Sequence, residues 1–503
     1  MDSFWRNDLL KTPSISKSKY LNGLQCPKLL WAQYNAKDWF PSVDAATQAL
    51  FDTGHVVGDL AKKLYPKGVE VPWTESVAET LAATKPLVAL RKPIFEASIM
   101  AGGAYARADI LNPVGRSQWD IIEVKSSTEV KDVYVPDLAL QWYCYEQGGL
   151  PIRRCYLMHI NNQYVLDGDV DPSGLFAKED ITDRVKELLP SVGKRLKGMA
   201  GIINQKNCPE QDIGPHCSDP YACPLMDRCW KHISRYGDNI FTLRRVGGKV
   251  WPLYQQGILR NRNVGNLIAL SNAQEIQIRA ERTGEAYVNP QSLKQFLASL
   301  EYPLHFFDFE TFQTAIPMVQ RTRPFQQITF QFSLHVVKQP KGELQHHSWI
   351  WDGTGDPFRI MLESLDKTIQ PKGSIVTYNA TFEKTRLKEA AERHQDWQKK
   401  VKGWTSRIVD LMAPFQQSAV YHPEQHGSNS LKAVLPALTR RSYDGMAIAN
   451  GGAASQAFVG ITFGHTTKKE KQETLKALER YCGQDTSGLW DILQALSHLV
   501  QHR

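Results

Sequence analysis

Several features are missing from this chain of 503 residues. No apolar run approaches the roughly 20 residues that a membrane-crossing helix needs, so no membrane partner is expected. The opening "MDSFWRNDLLKTPSISKSKY" lacks the basic, apolar, small-residue order of a secretory signal and points to a cytoplasmic protein. There is no tandem repeat and no long low-complexity tract, which excludes solenoids and disordered arrays. No G-x-x-x-x-G-K-[ST] string occurs, so the chain lacks the phosphate-cradling loop of a nucleotide-driven motor, and any duplex unwinding would fall to a separate helicase. Neither sign of charge dominates. The net charge of +8 fits a polyanionic partner but is mild over this length.

Cysteine is sparse, with eight in the chain, and in a reducing compartment a cluster of them reads as metal ligands rather than disulfides. Cys217, Cys223 and Cys229 stand at six-residue steps in "HCSDPYACPLMDRCW". A soft-metal site takes four ligands, and the fourth is either Cys208 in "KNCPEQ" or Cys26, far upstream in "LQCPKLLW". The near choice makes a small zinc module; the far one ties together the ends of a domain. Cys144 and Cys155 fall in a predicted helix and strand and read as core cysteines.

Length alone predicts more than one domain. Residues 1–232 alternate helical and strand-like patterns and end in the cysteine cluster. Residues 233–300 read as a mostly helical connector, with one helix starting after Asn289-Pro290. Within it, "YQQGILRNRNVGNLIAL" is either a helical hairpin touching a nucleic-acid backbone or plain packing helices. Residues 301–503 return to strands and close on a long helix. The fold class is therefore α/β multidomain.

Two constellations of acids carry chemistry. The first lies in "YARADILNPVGRSQWDIIEVKSS", which has the form of a β-hairpin with Asp109 on one strand and Glu123 and Lys125 on the other. Alternation along a strand puts Glu123 and Lys125 on one face. Two carboxylates can hold a divalent metal, and a lysine beside them can stabilise developing negative charge. The bland alternative is a strand edge with a surface ion pair. The helix predicted over "VYVPDLALQWYCYEQGG" brings Gln141 and Tyr145, four apart, to one side.

These residues together resemble the RecB-type branch of the PD-(D/E)XK nucleases, in particular its iron–sulfur members, the AddB nuclease domains and the CRISPR-associated exonucleases. Ser14, Ser16 and Cys26-Pro27 match that family's serine-rich start and "CP" cysteine. Asp109, Glu123 and Lys125 match its metal site, and Gln141 with Tyr145 its Q-x-x-x-Y motif. The resemblance implies a restriction-endonuclease-like domain over residues 1–232, Mg²⁺ or Mn²⁺ at the acids, and a [4Fe–4S] cluster on Cys26, Cys217, Cys223 and Cys229. Zinc with Cys208 is the alternative. The family's metal-proximal histidine is missing: Gly58 stands in its place, and nearby His55 is out of phase. Glu96, on a predicted preceding strand, either lines the site or is structural.

The second constellation begins in "LHFFDFETF", an apolar strand interrupted by Asp308 and Glu310. Two acids inside a buried strand are costly unless something compensates their charge, and a pair of divalent metals does so. Glu383 at the start of a later helix, and Tyr481 with Asp485 four apart on another, complete the set. The ordered motifs D-x-E, N-x-x-F-E and Y-x-x-x-D resemble the DnaQ-like (DEDD, tyrosine subclass) 3′–5′ exonucleases, which implies an RNase H-like fold over residues 301–503. In that family aspartate normally stands where Glu383 is. Asp410 reads as an assisting acid or a helix N-cap. "GSNSLKAVLPAL" resembles the helical segment that such enzymes place near the DNA strand, and "RPFQQITFQFSLH" reads as a second strand. The whole layout also resembles a bacterial family described only as a domain of unknown function.

The implied function is a metal-dependent nuclease with two phosphodiester-hydrolysing sites acting on DNA, in repair, processing or phage defence. The alternatives are a nucleic-acid-binding scaffold with one or both sites inactive, and an exonuclease acting on RNA. His422 with His426 reads as exposed polar residues rather than a zinc pair, His346-His347 has no metal-ligand company, and "HTTKKEKQE" reads as a solvated helix start.

Overall fold

The computed structural model describes residues 14–501, so the reading of the first 13 residues against a signal peptide lies outside the described residues. The chain is mixed α/β with several sheets and divides into two compact units. One comprises residues 1–231 and 314–326; the other comprises 232–313 and 327–503. No described helix is long and apolar enough to cross a membrane.

The first unit is built on a seven-stranded sheet. In chain order its strands are β1 (Ile15–Ser16), β2 (Val69–Glu70), β3 (Ile94–Ala101), β4 (Ala104–Val114), β5 (Gln118–Lys125), β6 (Ile152–Ile160) and β7 (Phe176–Asp180). The spatial order is β2-β3-β4-β5-β6-β7, with β1 alongside β4. Gly102 and Gly103 join β3 to β4 with φ of 60° and 82°, the double positive φ that a tight hairpin with matching twist requires. β5 and β6 are parallel, so they need a crossover, which the helix Tyr134–Gln147 provides.

One face of this sheet packs Ala97, Ile99, Ala106, Ala108 and Ile121 against Leu138, Trp142 and Val192 of the covering helices. The other packs Phe95, Ile110, Ile122 and Met158 with Ala315 from the 314–326 segment. Along β4 the inward positions change phase between Ala108 and Ile110, and along β3 between Phe95 and Ala97. Glu96, at the second change, has φ of 58°. A strict period of two is therefore broken at Glu96 and Asp109, where acids leave both packed layers.

The second unit holds a five-stranded sheet and a two-stranded ribbon. The ribbon pairs β8 (Tyr287–Val288) with β14 (Val420–Tyr421). The sheet comprises β9 (Leu304–Phe312), β10 (Ile328–Val337), β11 (Leu344–Ile350), β12 (Ile375–Thr377) and β13 (Ile408–Asp410), in the order β11-β10-β9-β12-β13. β10 runs antiparallel to both neighbours, while β12 is parallel to β9 and β13. Every residue of β10 is buried, as expected of a strand covered on both faces. The long helix Lys468–Gln501 lies on this sheet, with Gln331 of β10 donating to the Leu478 carbonyl at 2.9 Å.

Residues 233–300 are not a separate connector but part of this second unit. Arg244 donates to the Phe415 carbonyl at 3.1 Å, and Tyr421 donates to Glu281 at 3.3 Å. The helix Asn272–Thr283 is framed by a Ser271/Gln274 capping box and by Gly284 at φ 73°, and Asn289 caps Pro290–Ala298. The helical hairpin considered for residues 254–270 does not form. A short helix, Val250–Gln255, is followed by one 3₁₀ turn, Asn261–Asn263. Arg260 and Arg262 there are both held by Asp238, at 2.8 and 2.7 Å.

Candidate metal centres

The first acid cluster grows out of the β4–β5 hairpin. The ladder between the two strands ends at the pair Ile110–Ile122, one step before Asp109 and Glu123. Where it ends, the Asp109 carboxylate accepts the freed Val124 amide at 2.7 Å. Glu123, 1% exposed, is reached by three donors: Lys17 at 2.5 Å, Lys125 at 2.6 Å and Gln141 at 2.7 Å. Asp137, one helical turn before Gln141, receives Lys125 at 3.2 Å and Gln141 at 3.1 Å, with Lys17 at 3.7 Å. Asp109, Glu123, Lys125 and Gln141 are thus brought together, and Lys17 and Asp137 join them. Tyr145 is fully buried and donates to the Ala97 carbonyl at 2.6 Å while accepting from the Ala108 amide at 3.2 Å. It pins the helix to β3 and β4, and the Glu123 charge acts on its hydroxyl.

The charges divide accordingly. Burial opposes ionisation of Glu123, but Lys125 and Lys17 outweigh it and hold the carboxyl well below its usual range. Burial and the neighbouring Glu123 charge push Asp109 up to about 7, against the pull of both lysines. Glu96 forms an ion pair with Arg107 at 2.9 Å and bears on Asp109 only through its charge. His55 is exposed on the helix Ala45–Lys62.

At the end of this unit Cys26, Cys217, Cys223 and Cys229 line one cavity, together with His216 and Lys28. Cys26 caps the helix Pro27–Asn35. Gln25 donates to the carbonyls of His216 and Tyr221 at 2.8 and 2.7 Å, and Lys28 to that of Gln211 at 2.8 Å, so polypeptide contacts alone carry the far cysteine to the near three. Cys208 packs in the same apolar cluster but is not among the cavity's lining residues. His216, unmarked in the sequence reading, places Nε2 3.8 Å from the Cys217 sulfur. Burial pushes Cys223 up to about 11 and raises Cys229, so these thiols stay protonated until a cation compensates them. Cys144 and Cys155 are fully buried elsewhere in the core.

The second acid cluster sits on β9 and two helices. Asp308 and Glu310 share one face of β9, opposite Ser333 and Gln331 of β10. Glu383, in the first turn of the helix Thr381–Arg393, is 1% exposed, and its Oε2 has no hydrogen-bond partner. Asp485 and Tyr481 lie one turn apart on Lys468–Gln501, 6% and 4% exposed. Tyr443 donates to Asp485, and Cys482 donates weakly to Asp308 at 3.7 Å. Asp308, Glu310 and Cys482 offer ligand atoms that all lie within 4.8 Å of one another, a possible metal-binding triad.

Among the described residues no arginine, lysine or histidine pairs with any of these four acids, and the consequences follow from burial. Burial and the charges of Asp485, Glu310 and Glu383 raise Asp308 well above the ordinary range. Burial pushes Glu310 and Glu383 up to about 8 each, and Asp485 to about 6 against the hydrogen bond from Tyr443. Lys432 acts on Glu310 and Asp485 through its charge. It is exposed, donates to the Ala449 carbonyl at 2.6 Å, and lies 5.5 and 5.8 Å from the Tyr443 and Tyr481 ring centres. Asp410, at the end of β13, accepts the amides of Asn379 and Met412 at 2.9 Å each, so it shapes a turn and adds charge near Glu383. His346 bonds Ser333 at 2.9 Å and stacks on His335; half-buried His422 accepts the Glu424 amide; His426 is exposed.

Residues 305–430 match the family model described as "Domain of unknown function (DUF2779)". That stretch carries Asp308, Glu310 and Glu383 but stops before Tyr481 and Asp485. The chain is similar to "Uncharacterized protein MG366 homolog" of Mycoplasma pneumoniae, with 27% identity over 203 residues, covering 37% of this chain and 30% of the relative. "Uncharacterized protein MG366" of Mycoplasma genitalium is 26% identical over 214 residues, covering 39% and 32%. "Uncharacterized protein UU173" of Ureaplasma parvum is 22% identical over 233 residues, covering 42% and 33%. The chain spans about a third of the length of these relatives.

Proposed function

We propose that this chain is a divalent-metal-dependent nuclease acting on DNA, with a 3′–5′ exonuclease site of the DnaQ-like, RNase H-fold kind in the second unit and a PD-(D/E)XK-type site in the first. The observation that carries the proposal is the group Asp308, Glu310, Glu383 and Asp485: three buried acids and a half-buried one, with no paired cation among the described residues, and one of the buried acids with an orphaned oxygen. Such an arrangement is unfavourable unless a cation enters.

Divalent cations held by those four acids supply Lewis-acid stabilisation of the phosphate and of the leaving oxygen. Tyr481, whose phenol burial keeps protonated, bonds Asp485 and can hold the attacking water by its hydroxyl. Tyr443 fixes the other side of Asp485. In the first unit Asp109 and Glu123 would hold Mg²⁺ or Mn²⁺, Gln141 orients Glu123 through its amide, and Lys125 offers its ammonium to the phosphate.

The four-cysteine cavity supports a [4Fe–4S] cluster on Cys26, Cys217, Cys223 and Cys229, doing structural work. Tetrahedral zinc at a Zn–S distance of about 2.3 Å needs sulfurs about 3.8 Å apart. Among the described residues no three of these sulfurs come within 4.8 Å of one another, which favours the larger group. One observation favours a second reading for the first unit alone: two lysines already saturate Glu123, as in a binding scaffold without catalysis.

The test is digestion of end-labelled single- and double-stranded DNA with Mg²⁺ or Mn²⁺, using anaerobically purified wild type, Asp308→Ala and Lys125→Ala. Each variant should lose a different product pattern, by at least about 100-fold in rate. Loss in Asp308→Ala only would leave the first unit as the scaffold. If wild type binds DNA without cutting it, the DNA-nuclease proposal fails and RNA becomes the substrate to try.

A further inference from the structure

Cys482 stands apart from the other buried cysteines in what its sulfur meets. The Cys144 sulfur points at the carbonyls of Ile99, Ala101 and Ala104, at 3.6, 3.5 and 3.3 Å, as a core thiol on a sheet does. The Cys482 sulfur, also fully buried, meets the Asp308 carboxylate, with Glu310 and Asp485 close enough to act on it through their charge. A thiol is a poor neutraliser of acids. As an occupant of a purely apolar slot it is out of place; as a ligand it is not.

We propose that Cys482 is a further ligand of the second metal site, so that this site takes a borderline cation such as Fe²⁺, Co²⁺ or Zn²⁺ in preference to Mg²⁺. The geometry is the triad of Asp308, Glu310 and Cys482 ligand atoms within 4.8 Å. A second, independent observation points to the same ligand: Glu383, almost wholly buried, keeps an unpartnered oxygen while its charge reaches Asp308. On binding, the thiol proton passes to solvent and the thiolate joins the carboxylates. Mg²⁺ demands oxygen ligands, whereas thiolates favour the later divalent ions. The inference rests on the metal-site part of the proposed function and deepens it by naming the cation class.

The experiment is a Co²⁺ titration of the full chain, following sulfur-to-metal charge-transfer absorption in the near ultraviolet, in wild type, Cys482→Ser and Asp308→Asn. The cysteine cavity contributes equally to all three, so the difference isolates Cys482. Wild type should show an increment that both variants lose, although Asp308→Asn retains the thiol. In equilibrium binding, Cys482→Ser should weaken Co²⁺ at this site about tenfold or more while changing Mg²⁺ by less than about twofold. Cys482→Asp, which swaps the soft ligand for a hard one, should raise affinity for Mg²⁺ relative to Co²⁺ and guards against a folding defect in the serine variant. If the wild-type and Cys482→Ser spectra superimpose while Asp308→Asn still removes bound Co²⁺, the ligand role of Cys482 is overturned and the carboxylate site stands. If Asp308→Asn removes no cation either, the metal-site reading falls with it.

Discussion

Glu123 and Glu310 are both buried acids on central strands, yet their surroundings have opposite logic. Two lysines and an amide converge on Glu123, which stays ionised with its charge already balanced. Among the described residues Glu310 and its three companions have no such partners, and burial drives them toward the protonated form. Glu123 finds its counter-charges within the polypeptide; the second cluster, on the proposed reading, finds them in a cation. Stability should therefore answer to metal in one unit and to side-chain partners in the other.

The largest expected effect follows from that difference. A cation that binds only the folded state at 100 times its Kd stabilises by about 2.7 kcal/mol. Mn²⁺ should raise the thermal midpoint of the second unit accordingly, and chelation should reverse it. An equal shift in Asp308→Asn would erase the contrast. Next, the two glutamates should respond to the same substitution with opposite signs. In metal-free protein Glu123→Gln leaves two ammonium groups underpaired and should cost about 2 kcal/mol in urea denaturation. Glu383→Gln removes an uncompensated acid and should stabilise.

The pH dependence is smaller and sharpens the same point. Glu310 and Glu383 are raised to about 8 and Asp485 to about 6 in the folded protein. Near pH 4 and below, folded and unfolded chains both carry these protons. From there up to about 6 for Asp485 and about 8 for the two glutamates, the unfolded chain has released the proton and the folded one has not, so metal-free stability is lost as pH rises. Glu383→Gln should flatten that slope across the window; parallel pH profiles would show that Glu383 titrates normally. The smallest effect belongs to His55→Ala, which should stay within about 0.5 kcal/mol and leave Mn²⁺ binding untouched.

The sequence made the motif residues legible because each sits in a local pattern that physics enforces. Asp109, Glu123 and Lys125 are fixed by strand alternation in one hairpin, and Tyr481 and Asp485 by a single helical turn. What it concealed were partners supplied by distant segments. Lys17 reaches Glu123 from a helix that opens the domain, and Tyr443 reaches Asp485 from a loop with no motif around it. Asp137 and Cys482 lie inside helices that were recognised, one turn from Gln141 and one residue from Tyr481, where helical spacing offered a signal that went unused. Residues 254–270 misled because polar, helix-compatible composition does not specify a helix when Asp238 draws in Arg260 and Arg262. The separate connector dissolved for a similar reason: Arg244 and Glu281 find their partners beyond residue 400.

The 314–326 segment sets an order on how the molecule comes into being. Ala315, Ile316 and Phe325 close the apolar layer formed by Phe95, Ile110, Leu175 and Phe176, yet they are translated some 80 residues after the first unit's main stretch ends. On the ribosome the first unit cannot close before the second has begun: its last piece emerges only after β9, the strand bearing Asp308 and Glu310, has been made. A nascent chain halted before residue 314 would hold that apolar layer uncovered, a surface for a chaperone to guard until the missing segment arrives.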